Sequence, residues 1–249
     1  MGIHVLRRVA DLGNGLVLAP ERFDPRRRVE VVARRCLADV VDIVDENVSA
    51  SGWKSPDAVL ILDTTHAYQG FVVFRHGPVP PASMGSAKRR VQAGDVIISR
   101  LRPYLHQVAL VDQALFRLRP GGNTVVVSTE FFVLRGRDGR DAAGLVPFLL
   151  SERVQAALAA GQEGGHHPRF RKELLQSLPV PERVARKLSQ TAKQMRRLAA
   201  ALRRSLLASR SLVARVEAEM ATPALASARR SVEDTPCRKT SRSSIISRR

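Results

Sequence analysis

Gly94-Asp-Val-Ile-Ile-Ser-Arg-Leu-Arg-Pro-Tyr104 is the stretch that decides the fold of this 249-residue chain. Its opening Gly-Asp pair predicts a turn, and the three apolar β-branched residues that follow predict a buried strand at residues 96–99. Pro103 ends this strand, because proline has no N–H for a sheet ladder. The strand would therefore deliver three side chains to the surface just beyond its end: Arg100, Arg102 and Tyr104.

Short apolar runs on both sides of this stretch predict a β-rich core. We expect at least six strands, at residues 59–62, 70–74, 96–99, 108–111, 124–128 and 131–134. Upstream, residues 37–44 indicate a helical turn that runs into a strand. The period changes after Gly144, where residues 146–160 carry apolar side chains at helical spacing and stop at Gly161. The predicted fold class is therefore α+β (mixed α/β) with a β-rich core.

A much longer helix is predicted after Pro179 and Pro181, because residues 183–219 contain no Gly or Pro. Apolar positions step by four and three along its first half, which predicts a coiled-coil seam. The pairing residues of that seam are Val184, Leu188, Met195, Leu198 and Leu202. Leu206, Val213 and Val216 continue it after a shift of register, like a stutter. At about 1.5 Å per residue the helix is roughly 55 Å long, so we expect it to pair with another helix.

The charge of the chain is unevenly distributed. With 41 Lys and Arg against 23 Asp and Glu, the formal net charge is +18, which favours a polyanionic partner. The last 67 residues carry +13 of this charge, leaving only +5 on the part before them. With 44% hydrophobic residues, the chain as a whole is not disordered. We predict a lead-in at residues 1–36, a domain at 37–182, the long helix at 183–220 and a disordered basic tail at 221–249.

The two cysteines, Cys36 and Cys237, form no CxxC pattern and indicate neither a disulfide framework nor a zinc site. No apolar run approaches the roughly 18 residues of a membrane span, and the first residues lack the apolar core of a signal peptide. We therefore expect a cytoplasmic protein that does not contact a membrane.

No constellation of catalytic residues is evident, because the common nucleotide-binding, zinc-protease and serine-hydrolase motifs are absent. Pro56-Asp57 resembles the start of a nuclease motif, but no acid-X-Lys follows. His166 and His167 could bind a metal or act as a base, although a loop of hydrogen-bond donors is the simpler interpretation. Asp95 reads as a turn residue and Glu130 as an acid at a strand edge. We predict no catalytic residue, no metal ligand and no cofactor bound by this chain.

Cationic side chains beside the predicted strands and loops indicate binding chemistry. They could hold phosphates or pair with guanine edges in the major groove of DNA. The alternative is that they are solvated strand ends whose side chains snorkel to water. The candidate DNA-binding residues are Lys88, Arg89, Arg90, Arg100, Arg102, Tyr104, His166, His167, Arg169, Arg171 and Lys172.

The middle of the chain resembles the DNA-specificity (S) subunits of type I restriction-modification systems. Residues 94–104 resemble that family's Gly-Asp-strand-Ser-x-x-Arg-Pro element, and Ser128-Thr-Glu-Phe-Phe-Val-Leu134 resembles its Ser-Thr-x-Phe strand. Residues 148–152, the loop at 164–170, residues 174–181 and a long helix follow in the family's order. The resemblance covers about residues 37–219.

The resemblance implies a noncatalytic subunit whose target-recognition domain reads half of a bipartite site in double-stranded DNA. It also implies docking of methyltransferase (M) subunits, which supply S-adenosylmethionine, and association with a restriction (R) subunit through the complex. Family members carry two recognition domains and two helical regions, whereas this chain has one of each. A half-subunit that homodimerises through the helix and a truncated product both stay open. So do two rival functions, the reader domain of a methyltransferase-nuclease and a generic basic nucleic-acid-binding protein.

Overall fold

The computed structural model describes residues 35–55, 57–164 and 167–221, together with Leu6 and Arg8. Most of the predicted lead-in and nearly all of the predicted tail lie outside the described residues, as does His166. The chain divides into two compact units, Met1–Ala201 and Leu202–Arg249. The first unit thus includes the beginning of the long helix, and the predicted domain boundary at residue 182 stays a prediction.

The described part of the first unit is an α+β domain with a β-rich core, which confirms the predicted fold class. Its strands are β1 (Arg35–Cys36), β2 (Val41–Val44), β3 (Asn47–Val48), β4 (Val59–Leu62), β5 (Ala67–Tyr68), β6 (Gly70–Val72), β7 (Lys88–Arg90), β8 (Val96–Ser99), β9 (Val108–Leu110), β10 (Thr124–Ser128), β11 (Phe131–Gly136), β12 (Gln162–Glu163), β13 (Arg169–Phe170) and β14 (Pro179–Val180). Its helices are α1 (Val146–Leu150), α2 (Glu152–Ala160), α3 (Lys172–Gln176) and α4 (Glu182–Met220), of which α4 continues into the second unit.

Two sheets form most of this core. The larger has the order β2-β11-β8-β9-β6-β5 and is antiparallel except between β6 and β9. The smaller has the order β3-β7-β10-β4, in which β4 and β10 are parallel. The short pairs β1-β14 and β12-β13 lie outside these sheets. All six predicted strands are confirmed, and so is the helical turn at Leu37–Asp39 that leads into β2.

The central strand β8 is buried on both of its faces. Val96 and Ile98 pack in the cluster that contains helix residues, whereas Ile97 packs in the cluster shared with the smaller sheet. β11 alternates in the same way, with Phe132 towards the helices and Phe131 towards the smaller sheet. Because both faces are covered, these strands are continuously apolar and do not alternate between apolar and polar residues.

The single helix predicted at residues 146–160 is two helices, because Ser151 has an extended backbone (φ −62°, ψ 142°). The Ser151 hydroxyl donates a 2.6 Å hydrogen bond to the backbone oxygen of Phe148. A serine that bonds to nearby backbone in this way competes with the helical ladder, which explains the break.

The beginning of α4 packs on the helix face of the larger sheet. Its buried residues are Leu188, Ala192, Met195 and Ala199, which repeat at steps of four, three and four. The predicted pairing of Leu188 and Met195 with a separate helix is therefore wrong, because both side chains pack inside their own domain. Leu198, also predicted to pair, lies off this line and is 53% exposed.

The same spacing of three and four extends the line through Leu202, Leu206, Ser209, Val213, Val216 and Met220. This register needs no stutter, whereas the predicted register shifts after Leu202. Within the second unit, Val213, Val216 and Met220 are exposed.

Two contacts fix the beginning of α4 against the rest of its domain. Asp141 accepts bidentate hydrogen bonds of 2.8 and 2.9 Å from Arg196. Gly144, in the turn before α1, lies so close to α4 that a Cβ atom would collide with the backbone oxygen of Leu188. A glycine is required there because two backbones touch.

Replacing Gly144 should therefore loosen the packing of α4. We expect Gly144→Ala to lower the free energy of unfolding by about 1–3 kcal/mol, the usual effect of overpacking. Urea denaturation followed by circular dichroism measures it. The control is Gly77→Ala, where an added Cβ meets open space, and which should change stability by less than about 0.5 kcal/mol. Equal effects of the two substitutions would contradict the role assigned to Gly144.

Candidate nucleic-acid interface

Two separate stretches that sequence analysis nominated for DNA binding lie side by side in the structure. Leu101 forms a β-bridge with Arg169. The N–H of Phe170 donates to the backbone oxygen of Arg100 at 3.2 Å, and the N–H of Arg102 donates to that of Pro168 at 3.5 Å. The residues beyond β8 and the residues of β13 therefore form one short extended edge.

A single carboxylate, that of Glu130, joins the arginines of this edge. Arg100 donates its Nε to Glu130 Oε2 at 2.8 Å. Arg169 binds Glu130 in bidentate fashion, with Nε 3.1 Å from Oε2 and Nη2 2.7 Å from Oε1. Glu130 reaches this position because it immediately precedes β11, which pairs with β8 in the register that sets Phe131 opposite Ser99.

These arginines change the acidity of Glu130. Its pKa falls from the usual 4.5 to about 2, mainly because Arg169 donates hydrogen bonds to the charged carboxylate. Partial burial acts in the opposite direction, and the hydrogen bond and charge of Arg100 lower the pKa further. The carboxylate is therefore ionised across the physiological range and holds both guanidinium groups in place.

The ion pair with Glu130 leaves part of Arg100 available. Arg100 uses only its Nε toward Glu130, and its side chain is 34% exposed. Its two terminal nitrogens have no hydrogen-bond partner among the residues that the structure describes. A guanidinium held at one edge and open at the other can still donate two parallel bonds to a phosphate or a guanine edge.

A second carboxylate, Asp45, gathers two more of the candidate cations. Arg89 and Lys172 each lie 3.0 Å from one of its oxygens. The Arg89 guanidinium also lies 5.9 Å from the centre of the Phe132 ring. The centres of the Phe132 and Phe170 rings are 5.7 Å apart. Arg89 is thus held between Asp45 and an aromatic pair, and Lys172 is held by the same carboxylate.

A shallow cavity of about 400 Å³ opens between these groups. Arg100, Arg169, Arg171 and Lys172 contribute cations to its wall, and Glu163 pairs with Arg171 at 2.6 Å. Such an array of cations with internal acidic partners suits a phosphate-bearing ligand, because hydrogen-bond donors are already oriented before the ligand arrives.

The tip of the loop between β8 and β9 presents the remaining predicted residues of this group. Arg102 (φ 45°) and His106 (φ 50°) are both left-handed, an uncommon conformation for residues other than glycine. Between them, Tyr104 is 63% exposed and Leu105 is 47% exposed. Arg102 is exposed and has no ion-pair partner in the described ranges. Non-glycine residues in this conformation store strain, which is commonest at functional sites.

Two of the three predicted candidates on β7 of the smaller sheet are less suited to DNA contact. Lys88 is only 9% exposed, and its ammonium donates to the Ser86 hydroxyl at 2.8 Å. The Arg90 guanidinium lies over the Trp53 ring, 5.1 Å from its centre, and its Nε is 3.7 Å from Glu46 Oε1. His167 is exposed, and its backbone oxygen accepts a hydrogen bond from Arg169.

The sequence analysis did not identify the carboxylates that hold the cations of this interface. Glu130 was expected to be a strand-edge acid, and Asp45 and Glu163 were not singled out. Asp95, predicted as a turn residue, accepts from the N–H of Gln92 and also holds Arg135 at 2.8 Å with its carboxylate buried. Glu130 and Asp95 lie 30 or more residues along the chain from the arginines that they bind, Arg100, Arg169 and Arg135. No local pattern reports such pairs.

Two other features are absent from the described residues. These residues hold no group of three or more His, Cys, Asp or Glu that could bind a metal ion. None of their helices is both long and apolar enough to cross a membrane.

No protein-family model and no curated protein matches the chain. Solved structures with a similar fold include one concerned with complex assembly and conformational transition of the type I R-M system. Its sequence is 19% identical to this chain, and the TM-score is 0.47. The match covers 84% of this chain and 50% of that structure's chain. Another is the HsdS subunit from Thermoanaerobacter tengcongensis, at 21% identity and a TM-score of 0.46. That match covers 70% of this chain and 44% of the HsdS chain. This chain thus spans about half the length of these structures, and the likeness concerns the overall fold alone.

The low pKa of Glu130 predicts how its contribution to stability depends on pH. A carboxylate whose pKa is lower in the folded chain stabilises it above the unfolded pKa, near 4.5, and loses that effect as pH falls towards about 2. We expect Glu130→Gln to reduce the free energy of unfolding more at pH 7 than at pH 3, as measured by urea denaturation.

Glu173→Gln is the matched control, because Glu173 is an exposed carboxylate without an ion pair among the described residues. Its effect should be small at both pH values. A loss for Glu130→Gln that is equal at pH 7 and pH 3 would contradict the proposed pairing.

Proposed function

We propose that this chain is a noncatalytic DNA-recognition subunit of a type I restriction-modification system, reading half of a bipartite site. The observation that carries the proposal is the meeting of three sequence motifs at one ion-pair group. Arg100 comes from the Gly-Asp-strand motif, Glu130 from the Ser-Thr-x-Phe motif and Arg169 from the glycine-rich loop. Motifs that are far apart in sequence but build one charged surface indicate that they serve one function.

The chemistry of that surface supports DNA as the ligand. Arg100, Arg169, Arg171 and Lys172 are suited to phosphates, because their carboxylate partners hold them in fixed positions with donors to spare. Arg102 and Tyr104 project at the tip of a strained loop and are suited to base edges in a groove. The domain itself carries little excess charge, so affinity depends on where these side chains lie.

The spacing of α4 supports association with a second helix. The line through Leu202, Leu206, Val213, Val216 and Met220 has the spacing of coiled-coil positions a and d. In the second unit, three apolar side chains on this line, those of Val213, Val216 and Met220, are exposed to solvent. We propose that it pairs with the same line of a second copy, so that two half-subunits read a palindromic bipartite site.

The proposal includes partner subunits with their own chemistry. M subunits would bring S-adenosylmethionine and the adenine-methylating site, and an R subunit would join through the assembled complex. Neither a cofactor nor a catalytic residue is assigned to this chain.

One rival has an observation in its favour. A net charge of +18, mostly in the last 67 residues, would by itself bind nucleic acid without sequence preference. A methyltransferase-nuclease that keeps this domain as its reader would instead show activity from the chain alone.

Copurification with a methyltransferase subunit from the same organism distinguishes these functions. We expect a stable complex whose adenine methylation, mapped on random-sequence DNA, follows a bipartite motif. Arg102→Ala should relax the motif at one base pair, losing about 1–3 kcal/mol of discrimination, whereas Arg100→Ala should weaken binding to all sequences and reduce the salt slope by about 1.

Arg75→Ala is the matched control, because Arg75 is exposed, lies on a different loop and is not part of the interface. It should leave the motif unchanged. A chain that forms no complex and yields no motif would overturn the proposal in favour of the generic binder, and methylation or cleavage by the chain alone would favour the enzyme.

Helix pairing is tested by substitution on and off the proposed line. We expect Val213→Asp to shift the sedimentation of the full chain from dimer to monomer, because it buries a charge in the helix interface. Leu212→Asp is the control, since Leu212 and Val213 are equally exposed at 54% but only Val213 lies on the line. Dissociation by both substitutions, or by neither, would contradict the assigned register.

A further inference from the structure

An apolar groove separates helices α1 and α2 from the beginning of α4, on a different part of the domain surface from the interface at Glu130. Its volume is about 580 Å³. Phe148, Val154, Ala157, Leu178, Pro181 and Val184 contribute to its lining. The lining is mostly apolar and lies within the first compact unit.

Three cations, Arg153, Arg183 and Lys187, also line this groove. All three are exposed, and none has an ion-pair partner among the residues that the structure describes. This differs from the interface at Glu130, where Arg100, Arg169, Arg171 and Lys172 each bind a carboxylate. An apolar floor with unpaired positive charges at its edge is complementary to an apolar surface edged with acidic groups.

The backbone around the groove determines which kind of segment can fill it. Pro147, Pro179 and Pro181 line it and have no N–H to offer. The backbone oxygen of Pro181 already accepts hydrogen bonds from Val184 and Ala185 at 2.9 and 3.0 Å. Most of the other lining residues belong to α1, α2 and α4, whose backbone groups pair mainly within the helices. An extended segment would find no ladder there, whereas a helix satisfies its own backbone and needs only side-chain contacts.

The face of α4 that meets the groove differs from the face that packs into the domain. The domain face carries Leu188, Ala192, Met195 and Ala199. The groove face carries Val184, Lys187 and Thr191, at steps of three and four. Val184, predicted to pair with another helix, therefore lies at the groove and partly packs against the core.

We infer that this groove is the docking site for an amphipathic helix of a partner protein, a helix whose apolar stripe is flanked by Asp and Glu. Apolar side chains of the helix fill the space between α2 and α4, and its carboxylates pair with Arg153, Arg183 and Lys187. This goes beyond the proposed function, because it requires neither DNA nor the pairing of α4 with a second copy.

The test uses the full chain and two labelled synthetic helices of about 20 residues, long enough to be helical in water. Both carry the same leucine stripe, flanked by Glu in one peptide and by Lys in the other. We expect fluorescence anisotropy to show at least about tenfold tighter binding of the Glu peptide, a difference of about 1.4 kcal/mol. Reversal of the three cations, as Arg153→Glu, Arg183→Glu and Lys187→Glu together, should invert the preference.

The matched control reverses three other exposed cations of α4, as Arg186→Glu, Lys193→Glu and Arg197→Glu together. These residues do not line the groove, so this variant should keep the preference for the Glu peptide. Equal binding of both peptides, binding of neither, or the same loss in both variants would overturn the inference. So would a change in sedimentation specific to the groove variant, which would show that a second copy occupies the groove.

DNA binding measured in parallel separates this inference from the proposed function. A groove variant that binds DNA normally but has lost its preference for the Glu peptide supports the inference. Wild-type chain that binds the Glu peptide but no DNA would leave the groove assigned and overturn the DNA-reading function alone.

Discussion

β8 is buried on both faces, and most of the domain's architecture follows from that constraint. Val96 and Ile98 need an apolar cover on one side, and Ile97 needs one on the other. Helices supply the first cover and the smaller sheet supplies the second, so the domain has three layers. The same constraint fixes where chemistry can occur. A strand with no exposed face can present side chains to a ligand only at its ends, and Arg100 follows its last residue directly.

At the interface beyond the end of β8, acidic side chains hold the cationic side chains in place. Each carboxylate reduces the net charge of the surface, which weakens the long-range attraction of a polyanion. In return, Glu130 holds Arg100 and Arg169 in one geometry, so less side-chain entropy is lost when a ligand binds. A surface whose binding depends on the positions of its cations, more than on its net charge, is suited to discriminate between ligands. Net charge alone attracts every nucleic acid alike. This is consistent with the concentration of the chain's excess charge in its last 67 residues.

α4 shows how one regular spacing can serve different surroundings. Steps of three and four place Leu188, Ala192, Met195 and Ala199 in the domain core, held there by the Arg196–Asp141 pair and by the close approach at Gly144. The same steps continue through Val213 and Val216, whose side chains are exposed in the second unit. A separate face, at Val184 and Lys187, borders the apolar groove. Periodicity identifies the lines on a helix, but the neighbours of each line decide what it does.

The sequence by itself determined the longer strands, the α+β class and the existence of the long helix, because these depend on local runs of apolar residues and on where Gly and Pro interrupt them. The strands of only two or three residues without such a run, such as β7, were not predicted. It also nominated Arg100 and Arg169. Tertiary structure alone decided that these arginines share Glu130, that residues 146–160 break at Ser151, and that Leu188 and Met195 pack inward. Ion pairs across 30 or more residues and the burial of a helix face depend on which strands pair and which layers stack. A pattern read along the chain carries no information about distances between segments until the fold brings them together.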